Sequence, residues 1–248
     1  MTTASPADQL RLLDLQNLDT SLAQLNHRLA SLPERADIAS ANSSLAVLRD
    51  RIVAAETEVG DLELSVRKAE ADVDIIRTRT AKDEELLVSG SITSPKQLEE
   101  LQKEVASLAR RRSDLEDAEL EVMELLESAQ SNLSTLTAER DAIETTRAAA
   151  QAVVDEAEAS AAVDRAQLDT DRASVAASLP SDLLALYEKV RADHSGLGAA
   201  PIHRGSCQGC RIQLPPSDLA RFRDAAADEV LRCEECRRIL VRTDESGL

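Results

Sequence analysis

Aromatic side chains are almost missing from this sequence. Its 248 residues include one Phe (Phe222), one Tyr (Tyr187) and no Trp. A buried aromatic removes roughly 150–250 Å² from water. A core without them has to be built from thin seams of Leu, Val, Ile and Ala, which means helix packed on helix. Glycine and proline are also scarce, at seven each. That scarcity speaks against a large α/β enzyme with phosphate-cradling glycine loops and agrees with long helices or coiled coil. Basic residues are outnumbered, 29 Lys and Arg against 46 Asp and Glu, for a formal net charge of −17. Wholesale electrostatic attraction to nucleic acid or to an anionic membrane is not expected of such a chain.

No stretch approaches ~18 uninterrupted apolar residues, so no membrane-spanning helix is expected. Met1–Pro6 lacks a basic start followed by an apolar run, so no signal peptide is expected and the protein is placed in the cytoplasm. In that reducing compartment the four cysteines are read as metal ligands rather than disulfides.

What is present is heptad periodicity. Leu15, Leu22 and Leu29 interleave with Leu18, Leu25 and Leu32 at spacings of three and four, as in an a/d seam. Pro33 interrupts it. The pattern resumes from Leu45 through Leu48, Ile52, Ala55 and Val59 to Val73 and Ile76. Ser89–Pro95 breaks the chain, with Ser94 placed as a helix cap and Pro95 as the first helical residue. A second seam then runs from Leu98 through Leu108, Leu126, Leu133 and Leu136 to Ile143, and thins beyond it.

Two arms of comparable length around a capped break predict an antiparallel hairpin, residues 1–180, with its tip at 89–95. The competing geometry is a long parallel dimer. Symmetry about the tip sets Leu133 beside Ile52. At ~1.5 Å per residue the arms would make a rod of roughly 80–120 Å. Arg112, Glu119, Arg140, Arg147, Asp164 and Asp171 fall on seam positions, where such side chains are expected to snorkel to solvent. Residues 181–200 read as a short helix, capped by Ser181, and a turn-rich linker.

All four cysteines lie in the remaining stretch, 201–248, as Cys207-Gln208-Gly209-Cys210 and Cys233-Glu234-Glu235-Cys236. Two such knuckles bring four thiolates to one ion and fill the tetrahedral shell of a structural Zn²⁺ site. A filled shell leaves no open position for chemistry at the metal. His203 reads as a surface residue rather than a substitute ligand. Between the knuckles, Arg211–Pro216 reads as a strand and turn and Ser217–Ala227 as a helix capped by Ser217. Ile239–Val241 reads as a strand. The predicted product is a small zinc ribbon with a helical insertion, in a chain that is otherwise mostly α.

The charge balance changes with the fold. Residues 201–248 hold eight Arg and eight acids, whereas all of the −17 lies in residues 1–200. Arg204, Arg211, Arg232, Arg237, Arg238 and Arg242 flank the knuckles. They can offset the surplus negative charge of four thiolates on one Zn²⁺, or contact phosphates or a partner. No stacking aromatic stands beside them.

A coiled-coil hairpin followed by a four-cysteine ribbon resembles the bacterial coiled-coil zinc-ribbon family. Three stretches carry the resemblance: Leu15-Gln16-Asn17-Leu18-Asp19, the run from Ser94 to Glu104, and the ribbon ending Cys233-Glu234-Glu235-Cys236-Arg237-Arg238-Ile239-Leu240. It implies metal binding by Cys207, Cys210, Cys233 and Cys236. Arg237 stands where such ribbons commonly have Gly. It also implies an adaptor or chaperone for partner proteins, including flagellar and secretion components, with RNA binding suggested for some members. No Ser/His, Cys/His, paired-carboxylate or phosphate-loop constellation points to an enzyme. The expectation is therefore a non-enzymatic zinc-binding adaptor with a protein partner, homodimerisation being possible. The alternative is a nucleic-acid-binding regulator acting through the ribbon arginines.

Overall fold

The computed structural model describes residues 2–248. Helix α1 (Pro6–Ala30) begins where Pro6 presets the backbone and the Ser5 side chain accepts a hydrogen bond from the Asp8 N–H. The chain turns at Ser31 and Leu32 and restarts at Pro33 as α2 (Pro33–Val88). Gly90, with φ of 68°, lies in the tip, and α3 (Pro95–Ala177) follows. Helix α4 (Ser181–Asp193) precedes a four-stranded sheet of β1 (Ala199–His203), β2 (Ser206–Cys207), β3 (Leu231–Arg232) and β4 (Ile239–Val241), with α5 (Pro216–Asp224) inserted between β2 and β3. The sheet order is β2-β1-β4-β3; only the central β1–β4 pair is parallel.

The chain forms two compact units. One is residues 36–150. Here α2 and α3 pack antiparallel on a seam of Leu48, Ile52, Ala55 and Leu136, with Leu133 and Ile143 against it. Arg79 pairs with Glu104 at 2.7 Å across the hairpin, and Arg147 donates to Asn42 at 3.2 Å. Symmetry about the tip set Leu133 beside Ile52; the buried leucine that shares this core with Ile52 is instead Leu136, about one turn on, and Leu133 packs at its edge. Arg140 reaches outward from its seam position to Asp141, whereas Arg112 is half-buried, 3.3 Å from Glu116, with its Nε shielded from solvent.

The other unit joins residues 1–35 to 151–248. Its first core is shared by elements far apart in sequence: Leu12 and Leu15 of α1, Leu179, Leu183, Tyr187 and Val190 around α4, and Ala199 and Ile239 of the sheet. A second core of Ile202, Leu214, Phe222, Leu231 and Leu240 lies beneath the cysteines. The ribbon thus has a small interior of its own and a second one shared with the helices.

Several local expectations need correction. Ser181 and Ser217 do not cap: α4 and α5 start after Pro180 and Pro215, with no side-chain cap bond. Proline presets the turn in both places, which leaves the serine inside the first helical turn. Arg211–Pro216 forms no strand; it lies against β2 through an isolated bridge from Ser206 to Gln213 and the Cys207 N–H, which donates to the Ile212 carbonyl at 3.0 Å. Conversely, Ala199–His203 is a strand despite Pro201. Pro201 lacks an N–H, but its carbonyl still accepts from the Gln208 N–H at 3.1 Å.

Candidate metal centre

The two CxxC turns have the same backbone design. In the first, the Arg211 N–H donates to the Cys207 carbonyl at 2.7 Å; in the second, the Arg237 N–H donates to the Cys233 carbonyl at 2.9 Å. Arg211 and Arg237 both lie in the left-handed region, with φ of 62° and 59°. Each turn thereby folds its second cysteine back toward the first. The Gly209 N–H donates to the Cys207 sulfur at 3.3 Å. Glycine is needed there for space, because a Cβ would stand 2.7 Å from Cδ of Arg238 and 3.3 Å from Cβ of Ala200.

The four sulfurs converge, all within 4.8 Å of one another. Cys207 and Cys236 stand 3.8 Å apart, and Cys210 and Cys233 stand 4.0 Å apart. Four thiolates at ~2.3 Å from a tetrahedral Zn²⁺ would have edges of about 3.8 Å. The donor set fits a structural Zn²⁺ in both chemistry and spacing. Burial pushes the Cys207 and Cys233 thiols up from their ordinary range. Burial also raises the Cys236 thiol, but the Arg238 backbone N–H and nearby donors outweigh it, and the group ends at about 7. Buried thiols that resist ionisation alone give up their protons to a cation, so metal binding and ribbon folding are linked. His203 lies outside the cluster, with Nδ1 3.1 Å from a Glu245 carboxylate oxygen.

The flanking arginines do not form one patch of open cations. The Arg242 guanidinium donates to the carbonyls of Ala225, Ala226, Ala227 and Glu229 and so holds the end of the insertion. Arg232 donates twice to the Arg237 carbonyl, and Arg238 donates to the Leu197 carbonyl. Arg237 pairs with Glu234 at 3.2 Å. Arg204 and Arg211 are exposed, and no side-chain partner holds either among the described residues.

Sequence reasoning passed over a second polar centre, where the helices meet the ribbon. Asp19 of α1 is 6% exposed. Its carboxylate accepts from Arg172 Nε at 2.7 Å, Arg191 at 3.1 Å and the Tyr187 hydroxyl at 2.6 Å. Glu188 bridges the same two arginines. Gln16 Oε1 accepts from the N–H groups of Gly198 and Ala199, while its amide donates to the Gly196 carbonyl. Gln9 donates to the carbonyls of Ala4 and Ala227. Burial, then the bond to Asp19, keeps the Tyr187 hydroxyl protonated. The bond to Asp19, reinforced by Glu188, holds Arg172 in its charged form against desolvation. Two clues existed: the lone Tyr, and the Gln16 and Asp19 that directly follow Leu15 and Leu18 of the seam.

The CT398-like coiled coil hairpin domain matches residues 15–195, and a C4-type zinc ribbon domain matches residues 206–240. The chain belongs to the CT398-like coiled-coil hairpin family. An uncharacterized Mycobacterium tuberculosis protein, Rv2229c, is 38% identical over 241 residues, 97% of this chain and 98% of that one. A Mycobacterium leprae protein, ML1638, is 30% identical over 223 residues, 89% of this chain and 94% of its own length. A Mycobacterium smegmatis structure superposes with a TM-score of 0.83 at 33% identity, covering 98% of this chain and all (100%) of that one. CT398 from Chlamydia trachomatis superposes at 0.65 with 19% identity, over 96% of this chain and 98% of its own. At that identity the likeness is one of fold. Among the described residues no helix is long and apolar enough to cross a membrane.

Proposed function

We propose that the protein is a non-enzymatic adaptor of the cytoplasm, in which zinc holds a recognition head and the hairpin offers helical surface to a protein partner. The observation that carries this reading is how the ribbon's polar groups are used. Arg232, Arg238 and Arg242 are committed to the chain's own carbonyls, and four cysteines fill the metal shell. Little is left for catalysis or for a phosphate-binding face. Meanwhile the Asp19 and Gln16 networks tie α1 to α4 and β1, as a load transmitted between helices and ribbon would require.

Photo-crosslinkers placed in the full-length protein at Ile212 of the ribbon and at Leu64 of the hairpin test the reading, both sites being exposed. Crosslinks to a protein partner at either position are expected. Submicromolar binding of DNA or RNA, steeply salt-dependent and abolished by Arg204→Ala with Arg211→Ala, would replace the adaptor with the nucleic-acid reading.

A further inference from the structure

Within residues 36–150 a groove of about 670 Å³ runs between α2 and α3, lined by Ala54, Thr57, Leu62, Ser65, Ser128 and Ala129 among others. Small side chains keep it open, and a Cβ on nearby Gly60 would meet nothing within 4 Å. The groove is apolar at its margins. Leu125 lines it and is 58% exposed. On α2, Val53 and Leu64 are similarly exposed. At 100° per residue they fall next to Thr57, on the flank of the stripe that lines the groove. Leucine and valine left in water along one side of a groove are an unsatisfied helix-packing surface.

The charge around the groove names what would cover it. Residues 55–66 and 113–132 contain eleven carboxylates and no Lys or Arg. Glu58 and Asp61 line the groove, and by helical periodicity Asp117, Glu121 and Glu124 line its α3 rim. Among the described residues only Glu116 of this belt has a cation within ion-pair distance, Arg112 at 3.3 Å. A second copy would bring the same negative belt or an arm of mixed sign, so it matches the surface poorly. We propose that this groove docks a basic amphipathic helix of a partner protein, with its Leu or Met side chains in the groove and its Lys or Arg side chains on the acidic rims. Residues 54–65 would engage about 18 Å, some three turns, of that helix. The inference rests on the adaptor reading and supplies the chemistry of its partner.

The test uses the full-length protein and a labelled synthetic 20-residue helix with Leu on one face and Lys on the other. A scrambled peptide of the same composition is the control. Anisotropy titration is expected to give micromolar binding of the amphipathic peptide and at least tenfold weaker binding of the scrambled one. Leu125→Ser, and separately Asp61→Lys with Glu121→Lys, should each weaken binding at least tenfold while leaving the helical circular dichroism unchanged. Glu84→Lys with Glu85→Lys makes the same charge change outside the belt and should alter it less than twofold. Equal binding of the scrambled peptide, equal loss with the outside pair, or no binding at all would overturn the groove. So would a dimer that Leu125→Ser converts to monomer in sedimentation, since a second copy would then be the occupant. Crosslinks from Ile212 would survive any of these results, so the adaptor reading can stand when the groove falls.

Discussion

The two compact units solve the problem of an aromatic-poor interior in different ways. In residues 36–150 the interior is a line of aliphatic side chains, Leu48, Ile52, Ala55 and Leu136, repeated at coiled-coil spacing with charges at the margins. In the other unit the chain's only Tyr and Phe are both fully buried. There, polar groups are interior parts: Asp19, Gln16 and Gln9 are each no more than 6% exposed and each has several partners. A periodic seam tolerates small slips because every heptad offers a similar hole. A buried carboxylate with three assigned donors has one workable arrangement. The first unit is built for length and the second for a fixed geometry.

The largest expected break between them comes from the metal. The purified protein should carry one zinc per chain by elemental analysis, and chelation or Cys233→Ser should unfold the sheet, because structural zinc in small domains contributes roughly 10–16 kcal/mol of apparent binding energy at neutral pH. Hydrogen exchange should show β1 and β4 losing protection while the Leu48–Ile52 segment keeps it. A metal-free chain that retains protection in β4 would contradict this account.

Next comes the polar joint. Asp19→Ala leaves the partly buried Arg172 and Arg191 with Glu188 alone and removes the nearer acceptor of the Tyr187 hydroxyl, Gln16 Oε1 remaining at 3.3 Å. A loss of about 3 kcal/mol is expected, confined in hydrogen exchange to α1, α4 and β1. Tyr187→Phe removes one bond and should cost only about 1 kcal/mol. Equal losses from the two would mean that packing, not the carboxylate, holds the joint. In the hairpin, Leu136→Ala is expected to cost about 2–3 kcal/mol through the cavity it leaves. The cost should be local, with α4 and β1 protection unchanged.

These contrasts also mark what the sequence made legible. The heptad seam, the break before Pro95 and the two CxxC knuckles are short-range patterns, and each was readable because its physics is set by spacing alone. The joint was not readable, because Asp19 meets Arg172 and Tyr187 only after the chain has turned back on itself. Asp and Gln beside a leucine seam look like ordinary solvated positions. The strand at Ala199–His203 was missed for a related reason: its partners, Ile239–Val241, are forty residues on, and Pro201 reads locally as a turn. The caps at Ser181 and Ser217 failed through competition between two local rules, in which the preceding proline prevailed over the hydroxyl.

The smallest effect expected separates geometry from charge at the knuckles. Arg211 and Arg237 hold matched left-handed conformations, which cost a non-glycine residue roughly 1–2 kcal/mol. Glycine there would relieve that strain and lose part of the gain to its greater freedom when unfolded, about 0.5–1 kcal/mol. The exposed pair of Arg237 with Glu234 adds little on the other side. Arg211→Gly and Arg237→Gly should therefore each stabilise the ribbon by about 0.5–1 kcal/mol in thermal or denaturant unfolding of the zinc-bound protein. The opposite result is informative too. Four thiolates on one Zn²⁺ leave a net charge of −2, and a nearby guanidinium lowers its cost. If either glycine variant destabilises the ribbon while the corresponding Arg→Lys variant does not, charge neutralisation of the metal centre outweighs backbone strain, and the strain argument fails at that knuckle.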